Sequence, residues 1–284
     1  MGSLKTFALA GLLTAVSSAA LAADLLPAPV LAPPPVPVDV GGWYLRGDVG
    51  VGSLDLRGTT AVDVSSPAVP YVYDRLQDHV GDQAFVGAGV GYQFNGFLRA
   101  DITGEYRTKT DWRFNAEDRT FDASGGFNVT SGKFSSVVGL ANVYVDLGTW
   151  GGLTPFIGAG IGFAHHMFGS VNDQGFGLYS GGFGYGAEHD KTSLAYAVHA
   201  GLAYTINQNL KLELAYRYLN MGDAETGTVS CLPTCPGNLK TIYQLKELES
   251  HDIKIGMRWL LGAPVAAPIL AEAPIMQAPL VRKY

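Results

Sequence analysis

The feature that most constrains the fold is an alternation of apolar and less apolar residues in eight segments of about ten residues. Successive side chains of a β-strand point to opposite faces, so a period of two predicts strands with one apolar face. The eight segments are 43–51, 84–94, 98–107, 136–147, 156–163, 194–205, 210–218 and 252–259.

Charge is distributed unequally between the two faces of these segments. The apolar face carries no charged residue, whereas the other face carries six acids and seven bases. A charge on a lipid face costs about 2–4 kcal/mol at mid-bilayer, so the pattern predicts that the apolar face meets lipid. The charges predicted to face inward are Arg46, Asp48, Arg99, Asp101, Glu105, Arg107, Asp146, Lys211, Glu213, Arg217, Asp252, Lys254 and Arg258.

The connections between the segments alternate in length. Those at 95–96, 148–153 and 207–209 are short, and those at 53–82, 108–133, 165–191 and 222–247 are long, which we interpret as surface loops. Bacterial outer-membrane barrels have short periplasmic turns, long external loops and a girdle of aromatic residues at each interface. Outward aromatic residues gather near both ends of the segments: Trp43, Phe94, Tyr204 and Trp259 at one, and Tyr106, Phe163, Tyr196 and Tyr218 at the other. The predicted fold is all-β, an eight-stranded antiparallel up-and-down transmembrane β-barrel.

The ends of the chain differ from this middle region. Lys5, an apolar stretch and the motif Ala20-Leu21-Ala22 predict a signal peptide over residues 1–22. A Pro-rich periplasmic linker (23–41) precedes the barrel (42–261), and a Pro/Ala-rich periplasmic tail (262–284) follows it. Beyond residue 22, no run of about 18 apolar residues predicts a transmembrane helix, which excludes a helical membrane protein.

The two cysteines, Cys231 and Cys235, lie in one of the long connections. Export places them in an oxidising compartment, so we expect them to form a local disulfide rather than a metal site. Two thiolates do not fill a tetrahedral zinc site, and no metal is expected elsewhere.

Four stretches resemble a known family: Pro155–Gly162, Asn207–Gly222, Ala141–Gly148 and His251–Trp259. They are similar to small alphaproteobacterial outer-membrane β-barrel proteins, described as porin-family or OmpA-like β-barrel domains. That family includes surface immunogens and hemin-binding proteins. The resemblance implies a cell outer membrane location in a Gram-negative bacterium and covers the whole barrel region.

The function predicted from these observations is structural. An eight-stranded barrel encloses little more than its own side chains, so we expect the inward charges to pair and plug the lumen. The protein would contribute to envelope integrity and surface interactions, with outer-membrane lipid and lipopolysaccharide as partners. A periplasmic partner of the Pro-rich tails is left open, and a monomer or weak oligomer is expected. The net charge of −6 argues against nucleic acid as a partner.

Two alternatives remain beside the structural function, and a third, an enzyme, is not expected. A narrow porin would need the lumen charges to line an ion path. The second alternative is binding or uptake of hemin or another small ligand at the outer membrane. His165, His166 and Met167 suggest hemin, since imidazole and thioether ligate haem iron; otherwise no cofactor is expected. An enzyme would need His199 as a base near Ser193, but no motif fixes that geometry, so no catalytic residue is assigned.

Overall fold

A computed structural model describes residues 41–65, 72–119, 125–232 and 239–262, and the regular structure there is β. The predicted signal peptide, nearly all of the linker and all but the first residue of the tail lie outside the described residues. No helix in the described part is long and apolar enough to cross a membrane. The strands are β1 (Gly42–Asp63), β2 (Tyr73–Val80), β3 (Gln83–Gln93), β4 (Leu98–Asp118), β5 (Gly126–Asp146), β6 (Leu153–Phe168), β7 (Val171–Gly177), β8 (Phe183–Gly186), β9 (His189–Thr205), β10 (Leu210–Asn220), β11 (Ala224–Glu225), β12 (Val229–Leu232) and β13 (Lys240–Leu260).

Eight of these strands close into a ring. The antiparallel ladders run β1–β3–β4–β5–β6–β9–β10–β13, and β13 pairs with β1 to complete the circuit. Closure leaves no unpaired strand edge, which is the condition for a sheet to cross lipid. The prediction of an eight-stranded antiparallel barrel is confirmed.

The outer wall of this ring is an apolar band. Its outward side chains include Val49, Ile102, Ile161 and Leu194, which are 56%, 67%, 59% and 66% exposed. Contiguous exposed apolar surface of this extent marks a membrane-facing wall. The aromatic residues of the two predicted girdles are also exposed on this wall, with Tyr218 less so than the others.

Four strands are much longer than a bilayer requires. β1 has 22 residues and β4, β5 and β13 have 21 each, whereas about 9–11 residues of a tilted strand cross the hydrocarbon core. We call the ring inside the apolar band the lower barrel (43–53, 83–107, 135–163, 194–219 and 250–260). The upper barrel is the part beyond it (54–65, 72–80, 110–119, 125–134, 166–191, 221–232 and 239–248).

The prediction that 53–82, 108–133, 165–191 and 222–247 are surface loops is therefore wrong for most of their described residues. Long strands continue into these regions, and β2, β7, β8, β11 and β12 lie within them. The physical reason is that their inward positions are apolar, so the hydrophobic effect packs them into a core that holds the strands together. Trp112, Phe114, Tyr243 and Leu245 are each at most 3% exposed.

The upper barrel has a different set of members from the lower one. Its ladders run β1–β13–β12–β8–β7–β5–β4–β2, so β1, β4, β5 and β13 are the described strands that belong to both rings. β6 and β9 reach the upper barrel only with residues 166–168 and 189–191. Within the described residues no ladder joins β2 back to β1. Side chains of β2 bridge this seam instead: Thr59 donates its backbone N–H and its Oγ1–H to the Asp78 carboxylate at 2.6 and 2.9 Å.

The face that each long strand turns inward changes where the two barrels meet. In β4 the register shifts between Arg107 and Thr110, so that Thr108 and Lys109 are both exposed. In β1 the alternation of buried and exposed residues shifts by one position beside Arg57, and in β13 it shifts by one position beside Glu247. Glu247 has a φ of 48°. These irregularities lie where the predicted alternation ends.

Candidate functional site

The lumen of the lower barrel is filled by a network of ion pairs. Twelve of the thirteen charges predicted to face inward take part in it. The remaining one, Lys211, is half-buried near the turn end of β10 and also makes an interaction. The structure thus brings together residues from β1, β4, β5, β10 and β13 that are far apart in the sequence.

Arg46 is the centre of the first layer of this network. Its guanidinium lies 2.8 Å from carboxylate oxygens of both Asp48 and Asp101, and 3.4 Å from Glu213. It also donates a hydrogen bond of 3.1 Å to the Tyr144 hydroxyl. One cation on three carboxylates leaves negative charge that the neighbouring Lys254, 3.7 Å from Asp48, helps to balance.

The layer toward the short turns combines charge with aromatic rings. Arg99 donates to Asp146 at 3.1 Å, and its guanidinium lies 4.2 and 4.6 Å from the ring centres of Tyr144 and Phe156. Arg258, fully buried, lies 3.1 Å from Glu213. Cation–π contacts of this kind favour a desolvated guanidinium and help to hold it away from water.

The layer toward the upper barrel is built on two arginines that share two carboxylates. Arg217 donates to Glu105 at 2.8 Å and to Asp252 at 2.6 Å. Arg107 donates to the other Asp252 oxygen at 2.7 Å and to Ser250. Both guanidiniums lie about 5 Å from the ring centre of Phe85. In this layer both guanidiniums and both carboxylates are hydrogen-bonded, as buried charges require.

Glycines make room for the large side chains of the lumen. A Cβ on Gly158 would overlap the Tyr144 ring, and a Cβ on Gly91 would overlap Tyr44. Both glycines continue a strand and precede no helix, so the Gly-x-Gly pattern has a packing role here rather than a phosphate-binding one.

Above the network, the interior changes to apolar packing. The Trp112 ring stacks on Phe114 and contacts Phe168 and Tyr243, with ring centres 5.7 to 6.4 Å apart. Phe134 stacks on Phe168 at 4.9 Å. These side chains belong to one cluster of 21 buried apolar residues that fills the upper barrel and reaches into the top of the lower one. Aromatic residues of the connections that we predicted to be surface loops therefore form the core of a second barrel.

The three haem candidates do not converge on one site. His165, His166 and Met167 are consecutive residues of β6, so the middle side chain points inward and the other two point outward. His166 is fully buried, with its two ring nitrogens 2.8 Å from Ser136 Oγ and 3.0 Å from the Met221 carbonyl oxygen. His165 lies against Thr192 on the outer wall. The expectation of a shared site at a loop base is not met.

The histidine considered as a catalytic base is also held structurally. His199 Nε2 lies 3.2 Å from Asn142 Oδ1, and its ring packs on Tyr144. Ser193 donates instead to the backbone carbonyl of Asp223. A Ser–His contact that sequence reasoning missed, Ser136 to His166, is completely buried and includes no carboxylate.

Cys231 lies in β12 and is disulfide-bonded. Its predicted partner, Cys235, is outside the described residues, so the pairing stays a prediction.

Comparison with known proteins places the chain in a family. The model of the outer membrane protein beta-barrel domain matches residues 8–234. An uncharacterized protein of Brucella abortus (strain 2308) is 34% identical over 231 residues, covering 74% of this chain and 78% of that protein. A Rickettsia prowazekii (strain Madrid E) protein named "Putative adhesin" is 26% identical over 231 residues, covering 76% of this chain and 86% of that protein. The crystal structure of Neisserial surface protein A aligns with a TM-score of 0.40 and 16% identity, covering 78% of this chain and 97% of that one.

The family match spans most of the chain, and it agrees with the closed ring and its apolar wall. By the general rule for bacterial outer-membrane barrels, we expect the short turns of the ring to face the periplasm and the upper barrel to face the exterior. The chain belongs to the outer membrane protein beta-barrel domain family and is a protein of the cell outer membrane.

Proposed function

We propose that this protein is a non-conducting, non-catalytic barrel that supports the outer membrane and holds a rigid extracellular barrel for surface interactions. The observation that carries the proposal is that both interiors are filled, one by paired charges and the other by an apolar core. A filled interior suits a structural wall and a stiff support rather than a passage.

The lumen network argues against a porin. Arg99, Arg107 and Arg258 are fully buried, and their carboxylate partners Asp146 and Asp252 are at most 4% exposed. An ion crossing this layer would have to displace buried pairs, and breaking one buried pair costs about 3–5 kcal/mol. We therefore favour a plugged barrel over a narrow porin.

The upper barrel supports the interaction part of the proposal. Its outer wall carries two cross-strand apolar pairs, Phe127 with Phe176 on β5 and β7, and Phe183 with Leu232 on β8 and β12. These four side chains are 37% to 54% exposed on a part of the protein that lies outside the lipid. Exposed apolar clusters on water-facing surfaces commonly mark interaction sites. The relative named as an adhesin agrees with such a role.

Conductance and hemin titration test the first half of the proposal. We expect the refolded protein to give no stable single-channel conductance in planar bilayers and no Soret shift with hemin. Large, stable conductance would contradict the plugged lumen, and a saturable Soret shift would revive the hemin alternative.

Adherence and permeability of cells test the second half. Deleting the gene should raise permeability to a hydrophobic dye and reduce adherence to cultured cells. The double variant Phe127→Ser, Phe176→Ser should reduce adherence alone. A matched control, Val62→Ser with Leu76→Ser, changes exposed apolar residues elsewhere on the upper barrel and should leave adherence unchanged. A deletion strain that behaves like wild type in both assays would refute the proposal.

A further inference from the structure

A groove of about 690 Å³ lies on the outer wall where the lower and upper barrels meet. Strands β2, β4, β5 and β7, residues 169–170 and Glu188 line it. Most of its lining side chains are exposed on the outer wall, and the buried Trp112 of the upper core also lines it. Its cationic side chains are Lys109, Arg113 and Lys133, with His79 beside them.

The backbone shapes this groove. β6 ends at Phe168 and β7 begins at Val171, so the neighbour of β5 changes at this height. Gly132 and Gly169 line the wall there and project no side chain into it. Gly169 donates its N–H to the Lys133 carbonyl at 2.8 Å, which fixes the wall on one side.

The register shift in β4 supplies one of the cations. Thr108 and Lys109 both face outward, and Lys109 lies three residues beyond the girdle residue Tyr106. Lys133 lies four residues beyond the lipid-facing Val137 on β5. At about 3.4 Å per residue along a tilted strand, both ammonium groups reach the headgroup level of the outer leaflet.

Two carboxylates also line the groove, Asp111 and Glu188. Asp111 lies 3.4 Å from Lys133 and is its cross-strand neighbour, so it orients that ammonium. Among the residues that the structure describes, no carboxylate lies within ion-pair distance of Arg113 or Lys109. The groove therefore keeps cationic side chains directed to solvent.

The β13–β1 side of the barrel carries two acids at a similar height. Asp55 on β1 is directly opposite Glu249 on β13, and both follow the girdle of the lower barrel. An anion at the membrane surface would be repelled from the β13–β1 side and attracted to the β4–β5 side. This asymmetry distinguishes the groove from a uniform ring of solvated charges.

We propose that this groove binds the phosphate groups of outer-leaflet lipopolysaccharide, with Lys109, Arg113 and Lys133 as the phosphate-binding side chains. The inference rests on the outer-membrane location and is independent of the proposed adhesive role. The phosphates of a membrane-anchored glycolipid lie at the headgroup level, which is also the level of the groove. A soluble phosphate gains no affinity from the position of the groove at that level.

The test measures binding of bisphosphorylated lipid A to the refolded full-length mature protein by native mass spectrometry. Dephosphorylated lipid A, phosphatidylcholine and inorganic phosphate are the comparison ligands. We expect lipid A to bind at least tenfold more tightly than its dephosphorylated form, and inorganic phosphate not to compete at equal concentration. Equal binding of the two lipid A forms would overturn the phosphate site, and full competition by inorganic phosphate would overturn its restriction to lipid.

Variants locate the site. The triple variant Lys109→Ala, Arg113→Ala, Lys133→Ala should weaken lipid A binding roughly fivefold per cation, about a hundredfold together. The control triple Arg57→Ala, Arg119→Ala, Lys240→Ala removes three exposed cations elsewhere and should change binding less than twofold. The pair Lys109→Arg, Lys133→Arg retains charge and should retain binding, which separates charge from folding effects. Equal losses in the two triple variants would refute the groove as the site.

Discussion

The lower and upper barrels share four strands and have opposite interiors. In the lower barrel the wall is apolar and the interior is charged; in the upper barrel the interior is apolar and the wall carries exposed charges such as Arg57, Arg75 and Lys240. The difference follows from the solvent outside. Lipid gives no reason to bury apolar side chains, so polar groups collect inside, where they satisfy one another. Water outside restores the ordinary hydrophobic effect.

The largest effect is expected from breaking ion pairs in the charged interior of the lower barrel. Arg217→Met leaves Glu105 without its closest cation and Asp252 with only Arg107, so the free energy of unfolding should fall by about 3–5 kcal/mol. Urea unfolding in phosphatidylcholine vesicles, followed by tryptophan fluorescence, measures it. As a control, Arg57→Met breaks an exposed pair with Glu247 and should cost no more than about 1 kcal/mol. Similar losses in both would show that burial adds nothing to the lumen pairs.

The second largest effect is expected from truncating a side chain in the apolar interior of the upper barrel. Leu245 is fully buried in the upper core, so Leu245→Ala should destabilise that barrel by about 3 kcal/mol. We expect external protease to cleave the upper barrel faster while the lower barrel keeps its heat-modifiable migration on gels. Leu232→Ala, at a side chain 54% exposed, should leave cleavage unchanged. Simultaneous loss of both barrels would mean that they unfold as one unit.

A smaller effect concerns the seam between β1 and β2. Asp78→Ala removes the acceptor of two hydrogen bonds from Thr59 and should cost about 1–2 kcal/mol locally. Hydrogen exchange should speed up at the Thr59 amide and stay slow at amides paired in the β4–β5 ladder. In Asp74→Ala, which removes an exposed partner of Arg119, exchange at Thr59 should match wild type. Unchanged exchange in Asp78→Ala would show that the bridge does not hold the seam.

The smallest expected effect is a gain in the stability of the upper barrel, whereas the changes above reduce stability. Burial in the upper barrel raises the pKa of the Asp173 carboxyl, which accepts a hydrogen bond from Thr130. The folded state therefore binds this proton more tightly than the unfolded state, and stability falls as the pH rises from the unfolded pKa through the folded one. Asp173→Asn keeps the acceptor and removes the charge, so it should stabilise the upper barrel at pH 7 and flatten that pH dependence. Protease resistance measured from pH 3 to pH 7 tests it, and a stability loss at pH 7 would contradict it.

The same contrast explains which parts of the fold are readable from the sequence. In the lower barrel, alternation alone identifies the eight strands and the inward set of Arg46, Asp101 and their partners, because lipid forbids charge on the other face. The ion-pair geometry is a different matter. Arg46 and Glu213 are 167 residues apart and adjacent in space, and no local pattern encodes which carboxylate a given arginine reaches.

The upper barrel was missed because its signal changes phase and polarity. At Thr108 and Lys109 two successive residues face outward, so the period of two is interrupted. Beyond that point Trp112 and Phe114 are inward, where charges stood before. Short strands such as β8 and β12, of four residues each, pair with one another across more than 40 residues of sequence. The irregularity that ended the predicted strands therefore marked a change of environment and not a loop.

The passage of only four strands through both barrels has a mechanical consequence. These strands form two neighbouring antiparallel ribbons, β13–β1 and β4–β5. A force pulling the outer tip away from the cell would run along both ribbons, perpendicular to their ladder hydrogen bonds. Those bonds would be loaded in shear and share the tension instead of opening one after another. Two ribbons anchored in the membrane therefore form a tether that resists extension, while the short strands between them carry little of the load.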